Sequence, residues 1–241
     1  MGYLLKVVRY KKELPISYAH GATLCIEAMK TRPELVSKIF AHSSYNDGTG
    51  FKQITALCIE HGISIERNDR VFNVLSPKEN CYVIAEFNKF ECPIEQNVPH
   101  VVLVAPSNAG NLGTIIRTMV GFNYLDIAII RPAVDIFDPK VIRASMGAFF
   151  HVRFSYFNSF EDYAKSYKNR NHYPFMLNAP NQLDSVTAQK PFSLIFGNEA
   201  SGLPESFMTI GTPVVIPCSS AVDSLSLPIA TSIALYHFNR E

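Results

Sequence analysis

From residue 101 to the end of the chain, short apolar runs alternate with stretches of helical spacing, and this alternation constrains the fold more than any other feature. Val101-Val102-Leu103-Val104-Ala105 is apolar without a break, as expected of a strand buried on both faces of a parallel sheet. Helical signals follow over 111–121, and 125–130 is the next strand candidate. Phe175-Met176-Leu177, 193–196 and 214–217 read as further short strands, and an amphipathic helix is expected over about 227–238. Such a run predicts a doubly wound α/β domain.

Residues 1–90 read as a smaller α/β unit. Helical spacing spans 18–29, where Ala19, Ala22, Ile26 and Met29 can share a face. Strands are expected at 38–41, 63–65 and 82–87, and a second helix at 51–60 is stopped by Gly62. Around Glu91-Cys92-Pro93-Ile94-Glu95-Gln96-Asn97-Val98-Pro99 the pattern breaks, with two prolines among polar residues. A linker there gives two domains, 1–92 and 98–241.

Composition narrows the function classes. Hydrophobic residues at 47% and charged residues at 18% describe a globular chain and exclude a disordered one. The net charge of +1 means that any nucleic-acid surface must be a local patch. Five cysteines stand at 25, 58, 81, 92 and 218 with no C-x-x-C pair, so neither a zinc site nor a disulfide scaffold is expected. Met1-Gly2-Tyr3-Leu4-Leu5-Lys6 lacks the apolar run of a secretory signal, and no stretch is long enough to cross a bilayer. The expectation is a soluble, cytoplasmic protein without metal or membrane association.

Three segments carry chemistry. Ser107-Asn108-Ala109-Gly110-Asn111-Leu112-Gly113-Thr114-Ile115-Ile116-Arg117-Thr118 leaves a buried strand and enters a helix, where open α/β sheets place ligands. It is neither a dinucleotide fingerprint nor a Walker A loop, and Arg117 is long enough to reach back toward the strand ends. Phe196-Gly197-Asn198-Glu199-Ala200-Ser201-Gly202-Leu203 sets a carboxylate between glycines directly after a strand. Ile216-Pro217-Cys218 and then Asp223-Ser224-Leu225-Ser226-Leu227-Pro228 lead into the last helix. Each segment also has an ordinary account: an asparagine cap with a surface arginine, a tight turn with a solvated glutamate, and a serine cap.

In order, the three segments resemble the motifs of the SpoU (TrmH-like) branch of the SPOUT RNA methyltransferases, and Asp138-Pro139-Lys140-Val141-Ile142-Arg143-Ala144-Ser145-Met146-Gly147-Ala148 resembles that family's stretch between the first two. The resemblance covers about 98–240, and residues 1–90 look more loosely like the ribosomal-protein-like RNA-recognition domain often fused ahead of it. It implies an α/β domain with a parallel sheet and a deep trefoil knot, a homodimer packed through the final helix, and S-adenosylmethionine bent into the knot. Cofactor-binding positions carry over to Gly197, Ile216 and Leu225, and catalytic or supporting ones to Arg117, Asn111, Glu199 and Ser224.

The implied reaction methylates a ribose 2′-hydroxyl in ribosomal RNA or tRNA, with ribosomal RNA favoured because minimal tRNA-directed relatives often lack the first domain. An arginine keeps its proton, so binding the adjacent phosphate is an easier role for Arg117 than general base. Ser226 departs from the family's Ser-Leu-Asn, and a hydroxyl cannot reproduce an amide's carbonyl and NH₂. That departure keeps an alternative open, a catalytically weak or inactive RNA-binding paralogue. Arg9, Lys11, Lys12, Lys30, Arg32 and Lys38 are candidates for phosphate contacts, with a solvated face as the ordinary account.

Overall fold

The computed structural model describes residues 7–76 and 80–239. Met1 to Lys6, read above for a signal, lie outside them. In chain order the elements are β1 (Ile16–His20), α1 (Ala22–Thr31), β2 (Val36–Ala41), α2 (Thr49–His61), β3 (Ser64–Arg67), α3 (Asp69–Leu75) and β4 (Val83–Asn88). Then follow β5 (His100–Val104), α4 (Ala109–Gly121), β6 (Asp126–Ile130), α5 (Pro139–Ala144), β7 (Arg153–Phe157), α6 (Phe160–Ser166), β8 (Asn171–Pro174), β9 (Asn181–Gln182), β10 (Phe192–Phe196), β11 (Val214–Val215) and α7 (Leu227–Phe238).

The chain divides into two compact units. The first holds Met1–Phe90 together with Asp135–Phe150, and the second holds Glu91–Val134 and His151–Glu241. The segment Asp135–Phe150, assigned above to the methyltransferase stretch, thus packs with the N-terminal sheet. Its residues explain why: Phe149 and Phe150 are buried against Phe87, and Ser17 Oγ donates to the Phe137 carbonyl at 2.6 Å. Tyr10 donates to Asp135, whose carboxylate also lies 3.6 Å from Lys89 Nζ.

The first unit is a four-stranded mixed sheet in the order β1-β4-β2-β3, with β4 antiparallel to both β1 and β2, and β3 parallel to β2. Helical spacing misplaced its first element. Tyr18, Ala19 and His20 belong to β1, and the helix begins only after Gly21, whose φ of 98° breaks the chain direction. α2 ends as read from the sequence, on Gly62 in the left-handed region.

The second unit has a five-stranded, all-parallel sheet in the order β7-β6-β5-β10-β8, with β11 and β9 pairing beside it. β6 and β10 are buried at every position, as parallel strands covered on both faces must be. The third strand candidate, 175–177, falls one turn late: β8 ends at Pro174 and Phe175 makes a single bridge to Val214. α7 spans the expected residues but is not amphipathic. Leu227, Thr231, Ala234, Leu235 and Phe238 are buried, while Ile229, Ile233 and Tyr236 stand exposed on the other side.

The linker stretch is bound into the second unit rather than loose. Ile94 is buried, and the guanidinium of Arg170 donates to the carbonyls of Gln96 at 2.7 Å and Val98 at 3.0 Å.

Candidate active site

Two neighbouring strands position the first two motifs. β5 leads on to β6 on one side, whereas β10 and β8 lie on its other side, so the turns after β5 and β10 flank the point where strand order reverses. Open α/β sheets bind ligands there. Asn108 caps α4 by accepting from the Asn111 amide at 3.0 Å.

Glu199 ties the two turns together. One carboxylate oxygen accepts from the Ser107 amide at 3.1 Å and hydroxyl at 2.9 Å; the other accepts from the Asn108 amide at 3.1 Å and Asn111 Nδ2 at 3.3 Å. Desolvation pushes its pKa up, but the bonds from Ser107 and Asn108 outweigh that and hold it below the ordinary glutamate value. Glu199 is therefore an ionised brace for the first motif. Asn198, not singled out from the sequence, adds to it by donating to the Ala105 carbonyl at 2.8 Å. Ala105 sits at φ 52°, a conformation costly for a side chain, directly where the chain leaves β5.

A cavity of about 580 Å³ opens beside this brace. Gly197, Glu199, Ile216, Ser224 and Leu225, five of the residues chosen from the sequence, all line it. So do Phe175, Met176 and Leu177 after β8, with Leu203 and Met208, none of which was among the site residues chosen from the sequence. A side chain at position 197 would place its Cβ 2.0 Å from the Gly202 carbonyl carbon and 2.2 Å from the Leu203 nitrogen, so only glycine fits.

The structure does not bring Arg117 to this cavity. It is exposed on α4 and, among the described residues, has no hydrogen-bond or ion-pair partner. Asn111 touches Glu199 but does not line the cavity either. Ser226 takes the N-cap position of α7 without a side-chain capping bond and also lies off the lining. Among the candidate phosphate contacts, Arg32 is engaged with the Phe150 carbonyl and the Phe90 ring, and Lys38 with Glu66, so these two are structural; Lys11, Lys12 and Lys30 are exposed.

The model of the SpoU rRNA methylase family matches residues 99–236. The chain belongs to that family. It is 29% identical over 144 residues to an uncharacterized tRNA/rRNA methyltransferase of Synechocystis sp., with 58% of this chain and 53% of that protein aligned. The chain thus spans about half that relative's length. It is 28% identical over 149 residues to a candidate tRNA (cytidine(34)-2′-O)-methyltransferase of Listeria monocytogenes, covering 59% of this chain and 87% of the relative. The crystal structure of an AdoMet-bound rRNA methyltransferase from Sinorhizobium meliloti superposes with a TM-score of 0.79 at 25% identity, over 94% of this chain and 87% of that one.

Proposed function

We propose that this chain methylates a ribose 2′-hydroxyl of RNA with S-adenosylmethionine as donor. The observation that carries the reading is the convergence of the second- and third-motif residues on one cavity, with Glu199 bracing the first motif at its rim. A volume of about 580 Å³ is in the range of small-molecule sites. Its apolar wall, including Phe196, Leu203 and Met208, suits an adenine, and its turns and Ser224 offer polar groups for the ribose and amino-acid ends. Gly197, Ile216 and Leu225 would hold the cofactor.

The donor supplies an already activated methyl group. The chain must then hold the hydroxyl in line and help its proton leave. Arg117 binds the adjacent phosphate and orients the nucleotide. Its absence from the lining fits a two-chain site in which one subunit lends Arg117 to its partner's cavity. The stripe Ile229, Ile233 and Tyr236, at helical spacing on α7 and 51%, 36% and 55% exposed, supports a homodimer packed through that helix. The trefoil knot belongs to the same reading.

The first unit is assigned to substrate recognition and the RNA to the ribosomal class, in the cytoplasm. Supporting this, the likeness to the Sinorhizobium rRNA enzyme spans nearly the whole chain, whereas that to the Listeria tRNA protein covers little more than half. The inactive-paralogue alternative rests on Ser226 alone, which leaves the cavity lining intact. Calorimetry with S-adenosylmethionine and a map of 2′-O-methylation across total RNA, with and without the gene, test the reading. Saturable cofactor binding and one lost methylation site are expected; no binding at high cofactor concentration defeats it.

A further inference from the structure

A second surface in the first unit carries chemistry that the methyl-transfer site does not use. Ala41, the last residue of β2, pairs with Arg67 on β3 and with Val83 on β4. This register brings three neighbours to one sheet edge: His42, whose amide donates to the Tyr82 carbonyl at 2.9 Å, then Tyr82 and Arg67. The β2–α2 connection and first turn of α2 add Tyr45 and Phe51 to the same edge. Tyr45 and Tyr82 lie nearly parallel, 9° between planes with centroids 6.5 Å apart, and Tyr45 meets Phe51 edge-on at 5.5 Å. The Arg67 guanidinium sits 5.3 Å over the Phe51 ring.

These groups are not core. Tyr82 is 42% exposed, Arg67 is exposed, and Tyr45 and Phe51 are half-buried. Among the described residues Arg67 has no carboxylate partner; its one hydrogen bond is a long one to the His42 carbonyl, 3.5 Å. A row of partly exposed aromatic rings beside an exposed guanidinium is the kind of surface on which unstacked nucleobases stack. Asp69 decides between a base and a phosphate. Its carboxylate accepts from the Ser43 amide at 2.7 Å and hydroxyl at 2.6 Å, and it lies 3.8 Å from His42 Nε2, so an anion is already fixed beside the rings. That carboxylate disfavours a phosphate at the His42 end, where the rings can still take a neutral base.

We propose that Tyr45, Phe51, Arg67 and Tyr82 form a stacking platform that holds unpaired bases of the RNA substrate. This rests on the RNA-methyltransferase reading for its partner but stands on a different unit and a different measurement.

The test is binding of the full chain to a single-stranded RNA of about ten nucleotides, compared with a duplex of the same length, by fluorescence anisotropy. The single strand should bind more tightly. Tyr82→Leu, which keeps apolar bulk but removes the ring, and Arg67→Gln should each weaken it roughly tenfold, with duplex binding and cofactor affinity unchanged. Tyr82→Phe should bind as the parent does. Parent-like binding by Tyr82→Leu overturns the platform, and so does equal affinity for strand and duplex. A change of oligomeric state in Tyr82→Leu overturns it too, giving this edge to a second copy of the chain. A chain that shows these strand effects yet binds no S-adenosylmethionine defeats the methyl-transfer reading and leaves the platform standing.

Discussion

The two units solve the same problem differently. Each sends chain out of the C-terminal ends of its strands into helices. In the first, antiparallel β4 fills the place between β1 and β2, so its start lies at that edge and the edge stays open, lined with rings. In the second, all strands run the same way and the turns after β5 and β10 part at the switch point, so a cavity forms. One unit therefore offers exposed side-chain faces, and the other offers turns backed by an apolar wall. The lesson is that a surface for bases tolerates variation ring by ring, whereas a pocket made of turns tolerates almost none.

The largest effect should come from the residue that belongs to neither design. If Arg117 engages the RNA as proposed, Arg117→Ala lowers methyl transfer by at least about a hundredfold while leaving cofactor binding nearly intact. A fully active variant would remove Arg117 from the chemistry. Next comes a pair of glycines, one per unit. Gly197→Ala drives a Cβ into the Gly202 and Leu203 backbone and should cost about 3 kcal/mol together with cofactor binding. Gly21→Ala meets nothing within 4 Å and pays only for its φ of 98°, about 1–2 kcal/mol. Urea titrations of the two variants sharpen the contrast, and an equal loss would break it.

Acid should also separate the units. His100 and His172 in the second unit and His20 in the first are each lowered to about 4, chiefly by burial, with Arg170 or Arg143 adding to it. Their folded values lie below the unfolded one of 6.5. The stability they contribute is thus full above pH 6.5 and falls as pH drops from there through 4, because the unfolded chain takes up protons first. By about pH 5.5 His100 alone should cost about 1 kcal/mol, and His172, less well shielded, somewhat less. Hydrogen exchange at pH 7 and at about pH 5.5 should show the second unit losing more protection than the first. The smallest effect is Ser226→Asn. Both residues are good helix caps, so stability should move by no more than a few tenths of a kcal/mol, and activity should hold or rise. A collapse in initial rate would show that this serine is matched to the substrate.

How far these features were legible depended on whether the signal was local. β5, α4, β6, β10 and α7 each carry an uninterrupted apolar run or helical period, and the structure places them within a few residues of expectation. β1 was misread because Ala19, Ala22, Ile26 and Met29 keep a helical period straight across Gly21. α3, α5, β7 and α6 are short and lean on tertiary partners, as Arg153 does on Asp126. At the site, Glu199 was conspicuous as a carboxylate between glycines, but what it braces is 88 to 92 residues away. Gly197, Ile216 and Leu225 came from family resemblance alone, because contacts made through the backbone of turns leave little trace in residue chemistry. Asn198, working through one carbonyl of a left-handed alanine, left none.

The membership of Asp135–Phe150 in the first unit has a consequence for how the protein is made. The N-terminal sheet emerges early in synthesis, yet Phe137, Phe149 and Phe150, which finish its core, follow only after β5, α4 and β6 have emerged. Domains that fold one after another during translation need their residues contiguous. Here the piece that completes the earlier unit's aromatic interior is made through the middle of the later one. A ribosome stalled before residue 135 would hold a first unit that is complete in strands but still lacks Phe137, Phe149 and Phe150.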